Sequence, residues 1–268
     1  MSNTFVTLEE HAGIAQLTLN RPNVLNALSR AMFESLRDDL AKISANRNIG
    51  AVVLTGTGRA FCAGADLKDP MMGRDLPRAE RRRNSAQMLD TLIHASIRDL
   101  RALPVPTVAA VNGIAAGGGV GLALACDIVI AAQSASFLLP FTPKLGLVPD
   151  LGSSWHLAHH LGRARALGAA LLGDPVPARQ AAEWGLVWRC VEDERLREEA
   201  IAIAGRLRDG PRRAQLALRK LIDEARARSF DAQLDAERDT QAELSETQDA
   251  AEALAAFEAK RAPRFTGK

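Results

Sequence analysis

The chain has 268 residues, of which 47% are hydrophobic and 25% charged, whereas aromatic residues make up only 4% and tyrosine is absent. The net charge of +2 argues against nucleic-acid binding as the main function, and the composition excludes collagen-like, disordered and disulfide-stapled proteins. This length allows one large domain or two smaller ones. With so few aromatic rings, the core must consist of closely packed small and aliphatic side chains.

Three features bear on the compartment. The cysteines (Cys62, Cys126 and Cys190) are isolated and lack zinc or redox spacing, which favours a reducing, cytoplasmic location. Residues 1–4 lead directly into an alternating run, so no signal peptide is predicted. Between Arg101 and Lys144 the only charged residue is Asp127, but prolines and glycines interrupt this stretch. It is therefore predicted to be the buried centre of a fold rather than a membrane span.

Strands and helices are predicted to alternate in the first part of the chain. In chain order they are a β-hairpin over residues 4–9 and 13–19, a helix over 30–46, a buried strand over 51–55, a helix over 78–100 and buried strands over 107–111 and 128–131. Apolar residues at a spacing of three to four indicate the helices, and short apolar or alternating runs indicate the strands. This alternation predicts an α/β fold.

The last seventy or so residues have a different pattern, with no strand signal. Four alanine-rich helices with opposite charges at i,i+4 are predicted, over residues 197–208, 211–228, 230–244 and 247–259. We therefore expect an α/β core over residues 1–195 and a helical region over 196–268. Several of these helices have a narrow apolar face, so we expect them to pack on the core or on another subunit.

The first motif with chemical content is Arg-Ala-Phe-Cys-Ala-Gly-Ala-Asp at residues 59–66, after the strand over 51–55. Its small residues allow a ligand to approach the backbone closely, and exposed N–H groups there are able to bind an oxygen atom. Read locally, the alternative is a tight turn that Asp66 caps.

The second motif is Asn-Gly-Ile-Ala-Ala-Gly-Gly-Gly-Val-Gly at residues 112–121, between a strand and a helix predicted over 122–126. Unpaired N–H groups at a helix N-terminus attract negative charge. The motif is not a dinucleotide fingerprint, because position 122 is leucine, and it lacks the lysine of a P-loop. The alternative is a close strand–helix crossing that needs small residues.

The third motif, residues 144–155, has Asp150 in apolar surroundings at the start of a predicted helix. Desolvation would raise the pKa of this carboxyl, whereas a helix N-terminus would lower it. On local sequence alone, a simple N-cap is the better interpretation of Asp150.

In this order and spacing, the three motifs resemble the crotonase (enoyl-CoA hydratase/isomerase) superfamily over essentially the whole chain. Residues 20–28, 181–187 and 257–261 are similar to it as well. The resemblance implies a crotonase-like ββα superhelix core with a C-terminal trimerisation region, in a homotrimer or a hexamer built as a dimer of trimers. It also implies an acyl-CoA thioester substrate, with no further cofactor, no metal, no nucleic acid and no membrane as partners.

The resemblance assigns roles to individual residues. The backbone N–H groups of Ala65 and Gly118 would bind the thioester oxygen, because two preorganised donors stabilise the oxyanion of an enolate-like intermediate. The residues that would bind the acyl group or CoA are Asn26, Ala27, Leu28, Ala63, Gly64, Asp66, Leu67, Gly117, Phe141, Trp155 and Lys260.

The carboxylates of the chain favour an isomerase within the superfamily. Hydratases of this family hold a water with two glutamates, and the corresponding positions here are Gly121 and Phe141. Asp150 remains as a single acid/base, which is what a proton shuttle between two carbons needs. Residues 144–165, 171–174 and 260–268 are particularly similar to the bacterial ring-1,2-epoxyphenylacetyl-CoA isomerases of phenylacetate degradation. The resemblance therefore implies epoxide isomerisation, a Δ3-to-Δ2 enoyl shift, or both.

Other interpretations of the sequence remain. Hydration of 2-enoyl-CoA is the alternative reaction, and a non-catalytic acyl-CoA-binding protein is the alternative class. His156, His159 and His160 resemble a metal cluster but lack carboxylates at ligand spacing. The four arginines within residues 78–83 are expected on a solvated helix face rather than on a CoA phosphate.

Overall fold

The computed structural model describes residues 5–268. The predicted strand residue Thr4 and the segment 1–4 lie outside this range. Ten strands are found in residues 5–268: β1 (Val6–His11), β2 (Ile14–Leu19), β3 (Ala51–Gly56), β4 (Ala60–Cys62), β5 (Thr107–Val111), β6 (Ile114–Ala116), β7 (Ile128–Ala132), β8 (Ser136–Leu138), β9 (Val176–Pro177) and β10 (Arg189–Val191). They form a six-stranded and a four-stranded sheet.

The larger sheet has the order β1-β2-β3-β5-β7-β10. The antiparallel β1–β2 pair confirms the predicted hairpin, with Val6 opposite Leu19, and the other neighbours are parallel. β5 is buried along its whole length. Parallel strands covered on both faces are expected to have continuous apolar sequences, which is why β3, β5 and β7 were predictable.

The smaller sheet has the order β4-β6-β8-β9, and its strands have only two or three residues each. Runs this short show no periodicity, so the sequence did not reveal them. β4 and β6 are parallel neighbours, with Ala60 opposite Ile114. Since each of the two leads into one of the small-residue motifs, this sheet places those motifs side by side.

The α-helices in residues 5–268 are α1 (Arg30–Ala45), α2 (Arg78–Met88), α3 (His94–Arg101), α4 (Gly118–Leu124), α5 (Ser153–Leu172), α6 (Ala178–Glu183), α7 (Leu196–Arg208), α8 (Arg212–Glu224), α9 (Phe230–Ser245) and α10 (Gln248–Glu258). The prediction for 30–46 is confirmed, and the hydroxyl of Ser29 accepts from the N–H of Met32 as an N-cap. The helix predicted over 78–100 consists of α2 and α3, joined by a π-helical turn over Leu89–Ile93.

Two predicted helix starts are wrong. α4 begins at Gly118 rather than at residue 122, so the glycines lie inside the helix. Glycine is a poor helix former, but here its missing side chain allows contacts that outweigh the propensity. α5 begins at Ser153 with Gly152 as the N-cap, and Asp150 is therefore not an N-cap.

The helical region after residue 195 is not uniform. α7 contributes Leu196, Ala200 and Ala204 to the buried core and packs on β3 and β5. By contrast, α8 and α9 contain no buried residue. The helix predicted over 211–228 is shorter in the structure: α8 ends at Glu224, and a short 3-10 turn over Ala225–Ala227 follows it. The division into 1–195 and 196–268 stays a prediction.

Within residues 5–268, none of the helices has the length and apolar content needed to cross a bilayer. The weakly charged stretch between Arg101 and Lys144 forms β5, β6, α4, β7 and β8. This confirms its prediction as a succession of strand, loop and helix in the interior. α4 is buried at every position, so the centre of the fold lies where the glycine-rich motif is.

Candidate active site

The first wall of the site is the loop after β4. Leu28 forms an isolated parallel bridge with Ala65. The N–H of Leu28 donates to Gly64 O (2.7 Å), and Leu28 O accepts from the N–H of Asp66 (2.8 Å). Ala65, between these two partners, is exposed, and its N–H lies outside the bridge. The predicted oxyanion donor at Ala65 is therefore held by its neighbours and left accessible.

Asn26 holds this wall from behind. Its side chain is fully buried: Oδ1 accepts from the N–H of Arg21 (2.8 Å), and Nδ2 donates to Thr57 O (3.0 Å) and Ala60 O (2.8 Å). Asn26 also has a left-handed backbone with φ of 56°, which asparagine tolerates better than most residues. All polar atoms of this side chain are thus engaged by the protein itself.

Asp66 closes the same loop. Its Oδ2 accepts from Arg21 Nη2 at 2.9 Å, and its Oδ1 accepts from the N–H of Lys68 at 3.1 Å. Desolvation opposes ionisation, but the hydrogen bond and the positive charge of Arg21 prevail and lower the pKa of Asp66. Asp66 therefore stays an ionised structural carboxylate, and it caps a turn as the local reading of the sequence proposed.

The second wall is the first turn of α4. Gly117 precedes it in a left-handed conformation with φ of 52°, and its N–H donates to Leu138 O (2.8 Å). Gly118 is the first residue of the helix, and the N–H groups of a first turn have no acceptor within the helix. The predicted second oxyanion donor therefore lies at the positive end of a helix.

The two walls are in direct contact through glycines. A Cβ atom at Gly64 would lie 2.8 Å from Ala116 O, and one at Gly119 would lie 2.4 Å from Cys62 O. Both distances are too short for a side chain. The close crossing and the ligand-binding interpretation of the glycine motif are thus compatible, because the crossing itself brings the Ala65 and Gly118 segments together.

The third wall carries Asp150. This carboxyl lies between β8 and α5, and its Oδ1 is buried without a hydrogen-bond partner. Burial raises the pKa of Asp150 to about 6, and only its own backbone N–H acts in the opposite direction. The next residue, Leu151, packs on α4: a Cβ at Gly118 would lie 3.3 Å from Leu151 Cδ2. The segment that carries Asp150 is thus in contact, through Leu151, with the helix start that bears Gly118.

The two positions that correspond to hydratase glutamates differ in their surroundings. Phe141 is buried, and its ring faces Gly117, where an added Cβ would lie 3.6 Å from Phe141 Cζ. At Gly121, a Cβ would lie 2.5 Å from Leu151 O and 2.8 Å from Ser153 Oγ. Position 121 therefore has no room for any side chain, and position 141 presents a ring instead of a carboxylate.

Some predicted site residues lie apart from this cluster. The Trp155 ring stacks on His159 with the centroids 3.8 Å apart and lines a cavity between α5 and α8. Lys260 is exposed just after α10, and Leu67 is exposed beyond Asp66. Ala27 and Ala63 flank the bridge between Leu28 and Ala65.

Other chemistry has little support in the described part of the chain. Burial raises the pKa of the Cys62 thiol to about 12, so this cysteine next to the site is not a thiolate. Burial is also the main cause that lowers the pKa of His156 to about 3. Across residues 5–268, no group of three or more His, Cys, Asp or Glu side chains is arranged to hold a metal ion. The arginine-rich segment 78–83 is exposed, as predicted.

The sequence did not reveal two residues that shape the site. Leu151 has a left-handed backbone with φ of 51°, which leucine rarely adopts. The Pro-Asp-Leu-Gly turn around it was visible, but no local signal places the left-handed residue at leucine. Arg21 was noted only as part of a motif, and its ion pair with Asp66 joins positions 45 residues apart. Such pairs depend on the tertiary fold.

Comparison with known proteins agrees with this geometry. The Enoyl-CoA hydratase/isomerase family model matches residues 9–268. The chain is 41% identical to the 1,2-epoxyphenylacetyl-CoA isomerase of Escherichia coli, covering 98% of this chain and 99% of the relative. It is 40% identical to a "Probable enoyl-CoA hydratase" of Rhodobacter capsulatus over the full length of both.

A solved structure extends the likeness to the fold. The crystal structure of an enoyl-CoA hydratase from Polaromonas sp. JS666 superposes with a TM-score of 0.90 at 33% identity, covering 97% of this chain and 99% of that one. The fold is thus the mixed α/β crotonase fold that the motifs indicated. This chain belongs to the enoyl-CoA hydratase/isomerase family.

Proposed function

We propose that the protein is an acyl-CoA isomerase that uses Asp150 as its single acid/base. The observation that carries this proposal is the half-buried Asp150 carboxyl, which has an unpartnered oxygen and directly precedes Leu151, the residue that packs on the first turn of α4. Neither position 121 nor position 141 supplies a carboxylate. CoA belongs to the substrate, and the proposed reaction requires no further cofactor.

The N–H groups of Ala65 and Gly118 are the proposed donors to the thioester oxygen. When a proton leaves the α-carbon, negative charge moves onto this oxygen, and two fixed donors stabilise it more than the neutral carbonyl. The glycine contacts between the two walls keep the donor segments together without rearrangement. The proposed CoA contacts are those of residues 63–67 and of Lys260 at the surface, whereas the buried residues 26–28 support the segment 63–67 from inside the protein.

Asp150 performs the proton transfer in this proposal. With a pKa of about 6, it is mostly ionised at neutral pH and able to accept a proton from the α-carbon. The resulting acid then returns the proton to the γ-carbon, which converts a 3-enoyl into a 2-enoyl thioester with no net gain or loss of atoms. A carboxyl with an ordinary pKa would be a weaker base toward the α-carbon, because base strength rises with the pKa of the conjugate acid.

The acyl group is proposed to lie against Phe141. A ring in this place excludes water and favours an apolar acyl group over a polar one. Ring-1,2-epoxyphenylacetyl-CoA and 3-enoyl-CoA are the substrates that we propose, since the E. coli relative bears the name of an epoxide isomerase. We propose phenylacetate degradation as the pathway, and the likeness to this relative supports that proposal.

Hydration is the second candidate, because the R. capsulatus relative is named as a hydratase. A hydratase must hold and activate a water molecule. Gly121 lacks both a side chain and the space for one, and Phe141 has no hydrogen-bonding group. We therefore expect crotonyl-CoA to be hydrated much more slowly than a 3-enoyl-CoA is isomerised. The opposite ratio would favour the hydratase.

The central experiment is Asp150→Asn, which keeps the shape of the side chain and removes its charge. Turnover of 3-enoyl-CoA and of ring-1,2-epoxyphenylacetyl-CoA is expected to fall at least 100-fold, the lower range for loss of acid–base catalysis. Asp193→Asn, at an exposed carboxylate, is the matched control and should turn over as the unmodified protein does. Wild-type turnover in Asp150→Asn would exclude Asp150 as the acid/base.

A second experiment distinguishes the proposed enzyme from a non-catalytic acyl-CoA-binding protein. The protein is incubated in deuterated water with a non-isomerising acyl-CoA, and exchange at the α-carbon is followed by NMR. Exchange that Asp150→Asn abolishes supports the enzyme. Binding of the thioester without any exchange would instead support the binding protein.

A further inference from the structure

The backbone immediately after Asp150 is unusual. Leu151 has φ of 51° and Gly152 has φ of 78°, so two successive residues are left-handed. Glycine adopts this conformation freely, whereas in leucine the Cβ crowds the backbone. Leu151 is also almost completely buried. A branched apolar residue in such a conformation persists only where its surroundings hold it there.

The first turn of α4 provides these surroundings. A Cβ at Gly118 would lie 3.3 Å from Cδ2 and 3.4 Å from Cδ1 of Leu151. A Cβ at Gly121 would lie 2.5 Å from Leu151 O and 2.7 Å from Leu151 Cβ. Leu151 therefore packs on the helix surface at these two glycines. Its side-chain methyl groups contact Gly118, and its carbonyl and Cβ contact Gly121, where a larger residue would leave no room for them.

The same contact continues to the other wall of the site. Gly118 is contacted by Leu28 as well as by Leu151, because an added Cβ at Gly118 would lie 3.3 Å from Leu28 Cδ1. Leu28 in turn bonds the backbone on both sides of Ala65. We call Leu28, Gly118 and Leu151 the leucine clamp. It connects the Ala65 segment, the Gly118 segment and the Asp150 segment in one continuous set of contacts.

Asp150 has few other means of fixing its position. Its Oδ1 has no hydrogen-bond partner, and burial and its own N–H are the only influences on its pKa. The titratable groups near these walls do not fix the carboxyl either. Asp66 is paired with Arg21, the side chain of Lys144 is exposed, and His156 is neutral. The backbone over residues 150–152, rather than a side-chain partner, therefore determines where this carboxyl lies.

We infer that Leu151 is a positioning residue, which sets the place of the Asp150 carboxyl relative to the oxyanion donors through the leucine clamp. This inference rests on the proposed role of Asp150. It assigns to Leu151 a part in the reaction without contact to the reacting atoms. A shorter side chain would free the turn, move the carboxyl and admit water to it.

The test uses Leu151→Ala in the full-length protein, with 3-enoyl-CoA as the substrate. We expect kcat to fall at least 10-fold and KM to change less than 3-fold, because substrate binding does not use this residue. For the unmodified protein we expect the acidic limb of kcat/KM near pH 6, the pKa of Asp150, and in Leu151→Ala we expect it to move to lower pH as water reaches the carboxyl. Leu151→Met, which keeps most of the side-chain volume, should restore both properties in large part.

Leu40→Ala is the matched control, since Leu40 is equally buried but lies in α1. It should lower stability to a similar extent without moving the pH profile. If Leu151→Ala fails to fold, Leu151→Asn replaces it, because asparagine adopts the left-handed conformation readily and still lacks the packing methyl groups. The same two changes in kcat and pH profile are expected.

The outcomes separate the two proposals. If Asp150→Asn abolishes turnover but the folded Leu151 variant keeps the unmodified kcat and pH profile, Leu151 only packs and the inference is overturned. If Asp150→Asn itself retains turnover, the proposed function fails first. A lowered kcat with a shifted pH profile, reversed by Leu151→Met, supports both.

Discussion

The three walls of the site and the C-terminal helices α8–α10 are held in contrasting ways. At the site, backbone touches backbone at Gly64, Gly119 and Gly121, where no Cβ fits. In α8 and α9 no residue is buried, and the contacts include exposed ion pairs such as Arg213–Glu243 and Arg238–Asp235. Exposed pairs of this kind contribute little to stability.

The two regions also differ in how much apolar surface a single chain leaves exposed. The glycine contacts between the walls leave no space for a Cβ atom. By contrast, the C-terminal helices expose large apolar side chains, namely Leu218, Ile222, Phe230, Leu254 and Phe257. Apolar surface of this extent is typical of an interaction face. We therefore expect these helices to be covered by further copies of the chain, as the predicted trimer or hexamer requires.

The largest effect is expected where the walls cross. In Gly119→Ala, the new Cβ would lie 2.4 Å from Cys62 O, so the walls must separate. The free energy of unfolding should fall by about 3 kcal/mol, the range of an overpacked core. Urea titration measures it. Gly168→Ala in α5, where nothing lies within 4 Å, should instead raise stability by roughly 0.5–1 kcal/mol. Equal effects of the two substitutions would contradict the crossing.

Asn26→Ala tests the support behind the first wall. It removes three hydrogen bonds from a fully buried side chain: the N–H of Arg21 and the carbonyl of Thr57 lose their partner, and Ala60 O keeps only the longer bond from Asn112 Nδ2 (3.3 Å). A loss of roughly 2–3 kcal/mol is expected from these unsatisfied groups. Asn46→Ala, which removes two exposed hydrogen bonds, to Glu10 and from the N–H of Asn48, should cost less than about 0.5 kcal/mol. Thermal unfolding compares the two, and similar melting temperatures would show that the buried network is unimportant.

Asp150→Asn is expected to stabilise the protein while it removes activity. Burial raises the pKa of Asp150 in the folded protein to about 6, so the folded state binds the proton more tightly than the unfolded chain. The stability that the protonated group contributes is complete below pH 4 and is lost as the pH rises through 6. At pH 7.5 the substitution should therefore gain roughly 1–2 kcal/mol. No gain at pH 7.5, or an equal gain at pH 4, would disprove the burial of this charge.

The smallest effect on the isolated chain is expected at the exposed face of α10. Phe257→Ser removes a ring that is 84% exposed, so the stability of a monomer should change by less than about 0.5 kcal/mol. Self-association should weaken, since that ring is available to a second copy. Sedimentation velocity at several concentrations measures this. Unchanged association would place the interface on another face.

Much of the fold was visible in the sequence. The apolar runs that became β3, β5 and β7, and the periodic segment that became α1, are elements whose pattern extends over at least four residues. The strands of the smaller sheet were missed because two or three residues show no period. α4 was predicted to begin too late, since the intrinsic preference of glycine concealed a helix that packing stabilises.

The site was partly predictable as well. The order of the motifs indicated Ala65, Gly118 and Asp150 as one site, and the structure places their segments in contact. Asp150 as an N-cap was wrong, because two left-handed residues separate it from α5. Trp155 and Lys260 lie apart from this cluster within one chain, and their roles remain predictions.

By itself, the sequence determined the α/β class, the family and the absence of carboxylates at positions 121 and 141, because these depend on residue type and order. Only the tertiary structure decided that position 121 is closed by Leu151 and that burial raises the pKa of Asp150. Both depend on atoms that are brought together from separate segments. Desolvation and steric exclusion act through space, and a linear pattern records neither.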